Sequence, residues 1–64
     1  MSKLEQIVMK SHYSIDRLAQ ILQLPLIDMK VKLRDVGELT PTEITTLIDI
    51  LHITNPIEIF LSDM

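Results

Sequence analysis

The sequence predicts an all-α domain, a compact bundle of five short helices. Three observations predict it. Apolar residues recur at helical spacing in five successive stretches, helix start signals precede several of them, and the connections between them are short. At 64 residues the chain reads as one domain spanning 1–64, with no repeat, low-complexity tract or linker-like stretch to mark a boundary. A domain this small buries only about 60% of the surface its unfolded chain exposes, so each apolar face has to be used well. The composition allows this: 47% is hydrophobic, mostly Ile, Leu, Val and Met, with Tyr13 and Phe60 the only aromatic residues.

The first helix is expected from about Ser2 to Lys10, with Leu4, Ile7 and Val8 on one face. Ser11-His12-Tyr13 then breaks the pattern. The second helix starts with Ser14 as N-cap, because its hydroxyl can accept from an early helix N–H. Tyr13 and Leu18 are spaced for a hydrophobic staple across that start, and Ile15, Leu18, Ala19 and Leu22 form the apolar stripe. The third helix follows almost at once. Pro25 suits a first helical position. Leu26, Met29 and Leu33 make one stripe, and Ile27, Lys30, Val31 and Arg34 make a neighbouring one. Asp35-Val36-Gly37 closes the helix, with Gly37, the only glycine, free to take a positive φ.

The clearest local signal is Thr40-Pro41-Thr42-Glu43. A Thr N-cap, a Pro at the first helical position and a Glu at the third make a capping box, and Leu39 with Ile44 supply its staple. Ile44, Leu47, Ile48 and Leu51 continue this fourth helix. Asn55-Pro56-Ile57-Glu58 repeats the start signal for a short fifth helix carrying Ile57, Phe60 and Leu61.

Several classes of function are disfavoured. Without cysteine, disulfides and thiolate metal sites are excluded, so stability has to come from helix packing, helped or not by dimerisation. No apolar run approaches the ~20 residues that span a bilayer. The segment Met-Ser-Lys-Leu-Glu-Gln lacks the apolar centre of a secretory signal, so a soluble, cytoplasmic protein is expected. His12 and His52 fall on separate elements without the carboxylates or thiols that complete a metal set, and no metal or other cofactor is expected. There is no nucleophile–base pair, phosphate-cradling glycine loop or carboxylate dyad, so an enzyme is not expected.

The net charge of −3 argues at first against a nucleic-acid partner, but its distribution is uneven. Residues 1–34 hold all six cations (Lys3, Lys10, Arg17, Lys30, Lys32, Arg34) against three acids, for a charge of +3. Residues 35–64 hold six acids and no Lys or Arg, for −6. Such a split suggests one face suited to an anion and another that is not.

From Tyr13 to Leu61 the order and spacing of these parts resemble the Cro/repressor-type, lambda-repressor-like helix-turn-helix family of phages and mobile elements. The resemblance lies in Leu18-Ala19 with Leu24 on the turn, in Met29 with Lys32-Leu33, in Thr40-Pro41-Thr42-Glu43-Ile44, and in the closing Leu51-His52-Ile53-Thr54-Asn55-Pro56-Ile57-Glu58-Ile59-Phe60. It implies that the second and third helices form a DNA-binding pair, the third lying in the major groove and the second across the phosphates. It also implies a partner of double-stranded DNA, often bound by a homodimer on two half-sites.

Carried over by position, the resemblance puts Gln23 where the turn glycine usually stands, so Gln23 has to adopt that conformation at some cost or reshape the turn. It puts Pro25 at the polar opening of the third helix and Asp35 where a glycine usually follows it. The positions that usually reach base edges are Leu26, Ile27 and Val31. Aliphatic side chains cannot make the bidentate hydrogen bonds that read guanine or adenine; they can only touch thymine methyl groups. Lys30, Lys32 and Arg34 leave a positive strip able to neutralise a few phosphates, or form a merely solvated face.

Two functions follow, both placed on Leu26, Ile27, Lys30, Val31, Lys32 and Arg34. One is a transcriptional regulator that binds operator DNA, slightly favoured on sequence. The other is an antirepressor-like modulator whose third helix contacts another regulator protein. Leu26 and Met29 share a stripe with Leu33 and are expected in the core, whereas Ile27 and Val31 form a protein-binding patch or are partly buried. Their exposure separates the two functions: open aliphatics favour a protein partner, and burial returns weight to DNA. The fifth helix either packs internally or makes a dimer contact through Phe60 and Leu61.

Overall fold

The computed structural model describes residues 2–61, so Asp63, counted above in the acidic half, lies outside the described residues. The described chain is helical throughout, with α1 over Lys3–Lys10, α2 over Ile15–Leu22, α3 over Leu26–Arg34, a 3-10 turn over Val36–Glu38, α4 over Pro41–Leu51 and α5 over Pro56–Leu61. The five expected helices are all present, and none is long and apolar enough to cross a membrane.

Capping side chains set most of the starts. The Ser14 hydroxyl accepts from the Arg17 N–H at 3.1 Å to open α2. At α4 the Glu43 N–H donates to Thr40 Oγ1 (3.2 Å) while the Thr40 N–H donates to Glu43 Oε1 (2.9 Å), closing the expected capping box. A second capping box, not anticipated from the sequence, opens α1 through Ser2 and Glu5. There the Ser2 hydroxyl has two roles: it accepts from the Glu5 N–H and donates to the Leu33 carbonyl at 2.6 Å. It thereby ties the start of α1 to the last turn of α3, satisfying a carbonyl that a helix end otherwise leaves open.

The ends of α2 and α4 share one device. Gln23 (φ 58°) and His52 (φ 54°) sit in the left-handed region. Each lets the next N–H reach back five residues: Leu24 to the Ala19 carbonyl (2.9 Å) and Ile53 to the Ile48 carbonyl (3.0 Å). This geometry favours glycine, so both residues carry a local cost, as expected for Gln23.

One expectation at α3 needs correcting. Pro25 is the N-cap rather than the first helical residue, with an extended ψ of 147°; its carbonyl accepts the Met29 N–H at 3.0 Å. Beyond the helix, Gly37 does not use its freedom to take a positive φ. Asp35 turns the chain in an extended conformation, and its carboxylate accepts the Gly37 N–H at 3.2 Å, holding Gly37 within the 3-10 turn. The exit from α3 is therefore built by a side-chain cap and needs no left-handed residue.

Leu4, Leu18, Met29, Leu33 and Leu47, one or two from each of the first four helices, are fully buried. No polar or charged residue among those described is buried. On α5 the buried pair is Ile59 and Phe60, while Ile57 and Leu61 face outward. The expected stripe of Ile57, Phe60 and Leu61 is thus correct only at Phe60, which packs internally. Six residues make under two turns, and the helix meets the core along the side bearing Ile59 and Phe60.

Candidate binding face on the third helix

Helix α3 is apolar on two sides, and only one is covered. Met29 and Leu33 point into the core beside Leu18 and Leu4 of the neighbouring helices. Ile27, Lys30, Val31 and Arg34, spaced i, i+3, i+4 and i+7, form the outer face. Ile27 is 71% exposed and Val31 52% exposed. Leu26, expected in the core with Met29, is instead 39% exposed. It lies in the first turn, at the edge of the packed surface, and the core is filled without it.

The outer face borders a groove of about 400 Å³ lined by Ile27, Lys30, Val31, Arg34 and Asp35. Lys30 and Arg34 form its ridge, since they also line a groove of about 280 Å³ on the far side with Glu5, Ile15 and Leu33. The acids nearby are engaged locally. Asp35 caps the Gly37 N–H, and Asp28 sits in the first turn of α3, where a carboxylate is stabilised by the unpaired helix N–H groups.

Lys32 does not share this face. Its ammonium lies 2.8 and 3.0 Å from the two Glu43 carboxylate oxygens, with the side chains only 19% and 12% exposed. The Lys32 hydrogen bond, followed by the Thr40 N–H, holds the Glu43 carboxyl below the usual carboxylate range. The spacing of charge along the sequence placed Lys32 in one strip with Lys30 and Arg34. Helical geometry separates them, because i+2 lies on the opposite side. The third cation of the strip is a clamp between α3 and α4.

The fold also brings together residues that the sequence left apart. His12, from the α1–α2 connection, and His52, at the end of α4, both line a groove of about 430 Å³ with Ser11, Tyr13, Ile50 and Leu51. A smaller apolar groove of about 200 Å³ runs between Ile44, Pro56, Ile57, Phe60 and Leu61. Neither is visible in one-dimensional spacing, because each joins separate elements only through tertiary packing. Among the described residues no three His, Cys, Asp or Glu side chains are grouped to hold a metal ion. Compared with protein families, curated proteins and solved structures, the chain gives no match.

Proposed function

We propose that this chain is a small cytoplasmic regulatory module of helix-turn-helix type that docks the outer face of α3 on another protein, a regulator of transcription. The observation that carries the reading is the exposure of Ile27 and Val31, adjacent turns of one face of the helix that the family resemblance makes the recognition helix. Open aliphatics in a row gain free energy from apolar contact, about 25 cal/mol per Å² removed from water, and gain little from a phosphate backbone. The transcriptional context rests on the resemblance to Cro/repressor-type proteins. The test is a pull-down of the regulator encoded in the same operon by the parent chain, Ile27→Lys and Val31→Glu. Loss of capture in both variants supports the reading; capture equal to the parent in both contradicts it.

A second reading keeps DNA as the target. It is supported by the short left-handed turn at Gln23 between α2 and α3 and by four exposed cations, Lys10, Arg17, Lys30 and Arg34, that pair with no carboxylate among the described residues. With Lys32 committed to Glu43, α3 itself offers two open cations, Lys30 and Arg34, able to meet phosphates or guanine edges, beside aliphatics at Leu26, Ile27 and Val31 that cannot read a base by hydrogen bonds. With so few cations such binding is weak, and its salt dependence scales with the few phosphates neutralised. Titration with operon promoter DNA at low and high salt measures it directly. Here the chain would act as a homodimer on two half-sites.

A further inference from the structure

If α3 docks on a protein, its surface chemistry narrows what that protein presents. We propose that the occupant of the α3 face is an amphipathic helix whose apolar side chains are flanked by carboxylates; this rests on the protein-docking reading above. Ile27 and Val31 form one row along α3, and Lys30 and Arg34 form a second row beside it, each pair one helical turn apart. The groove of about 400 Å³ lies among these four side chains and Asp35. An occupant therefore meets an apolar edge and a cationic edge along the same axis.

The mode of docking follows from the elements on offer. No strand exists among the described residues, so there is no sheet edge to extend; the two rows run along α3 with a one-turn repeat, which a helix laid alongside matches with its own i, i+4 side chains. The sign of the occupant's charge follows from the state of the nearby groups. Lys30 and Arg34 have no carboxylate partner among the described residues, while Asp35 is turned to its own backbone. A carboxylate row completes the two open cations; an ammonium row would oppose them.

Two synthetic helical peptides test this. Both carry leucines at i, i+4 and i+7, one with glutamates and the other with lysines at the flanking positions. Each is titrated into the isotopically labelled chain and followed by amide chemical shifts. The acidic peptide should bind at least tenfold tighter than the basic one, with shifts centred on Ile27, Lys30, Val31 and Arg34, and its advantage should shrink as salt is raised. The double variant Lys30→Glu/Arg34→Glu should reverse the preference, and Ile27→Ser/Val31→Ser should weaken both peptides. These are exposed positions, and an unchanged spectrum outside α3 confirms that the variants are folded. Equal binding of the two peptides overturns the inferred partner charge while leaving docking at α3 intact. Shifts centred elsewhere, no shifts with either peptide, or α3 broadening with protein concentration alone, which would make a second copy the occupant, each overturn it too. Docking at α3 itself fails only on the operon-regulator pull-down.

Discussion

Replacing Glu43 by Gln removes the charge of the α3–α4 clamp and little else. A glutamine at the third helical position can still accept the Thr40 N–H, so the capping box survives and the loss is confined to the ion pair with Lys32. Exposed ion pairs contribute up to about 1 kcal/mol, and hydrogen bonds to charged groups about 1.5–3 kcal/mol. With the two side chains 12% and 19% exposed, the clamp falls between these limits, and the substitution should cost about 1–2 kcal/mol. For a domain of this length each 1 kcal/mol moves the melting temperature by roughly 4–8 °C, so circular-dichroism melting at neutral pH should show a drop of about 4–16 °C.

The pH dependence has a definite sign. The Glu43 carboxyl is held below its ordinary value of 4.5 in the folded chain, so the unfolded chain binds the proton more readily. The stabilisation is complete above the unfolded value and disappears as pH falls through the folded one. The gap between parent and Glu43→Gln should therefore be full at neutral pH and close in acid. Lys32→Met combined with Glu43→Gln should cost less than the sum of the two single changes. A Glu43→Gln melting curve that overlies the parent at neutral pH, or a gap that persists unchanged in acid, refutes the clamp.

Other outcomes follow from the backbone, each read by urea denaturation. Gln23→Gly and His52→Gly should each stabilise the chain by about 0.5–1 kcal/mol, since both replace a side chain held at positive φ. Gly37→Ala should stay within about 0.5 kcal/mol of the parent, because Gly37 is not left-handed and a new Cβ would meet only the Asp35 carboxylate at 3.3 Å. Ser2→Ala should cost about 1–2 kcal/mol, more than an ordinary lost cap, because the same hydroxyl also serves the Leu33 carbonyl.

The helices were legible in the sequence because their causes are local. Thr40 and Glu43, three residues apart, specify a helix start by themselves, and Leu4, Leu18, Met29, Leu33 and Leu47 reach the core at the spacing that periodicity demands. Ser2-Lys3-Leu4-Glu5 carries the same start signal as Thr40-Pro41-Thr42-Glu43 and could have been read from the sequence in the same way. What sequence could not supply is that Leu26 lies open although it shares the stripe of Met29 and Leu33, and that Ile27 and Val31 stay uncovered. Leu26 and Ile27 are equally aliphatic, and only the placement of α1, α2 and the 3-10 turn decides that both lie open. The role of Lys32 was hidden for a related reason, since its partner Glu43 is eleven residues away on another helix. The left-handed turn at His52 had no glycine to announce it, and the glycine that invited one, Gly37, is served by Asp35 instead.

Whether the outer face of α3 recognises a protein or a nucleic acid is decided by Ile27→Lys, which moves the two affinities in opposite directions. Ile27 is 71% exposed, so the change leaves the fold intact while adding a cation beside Lys30. Measured side by side, the affinity of parent and variant for the operon regulator and for promoter DNA gives a direct answer. If α3 docks on a protein, Ile27→Lys loses the regulator by tenfold or more and gains whatever weak, salt-sensitive affinity for DNA there is. Unchanged binding of the regulator, together with tight and sequence-selective DNA binding by the parent chain, would contradict protein docking.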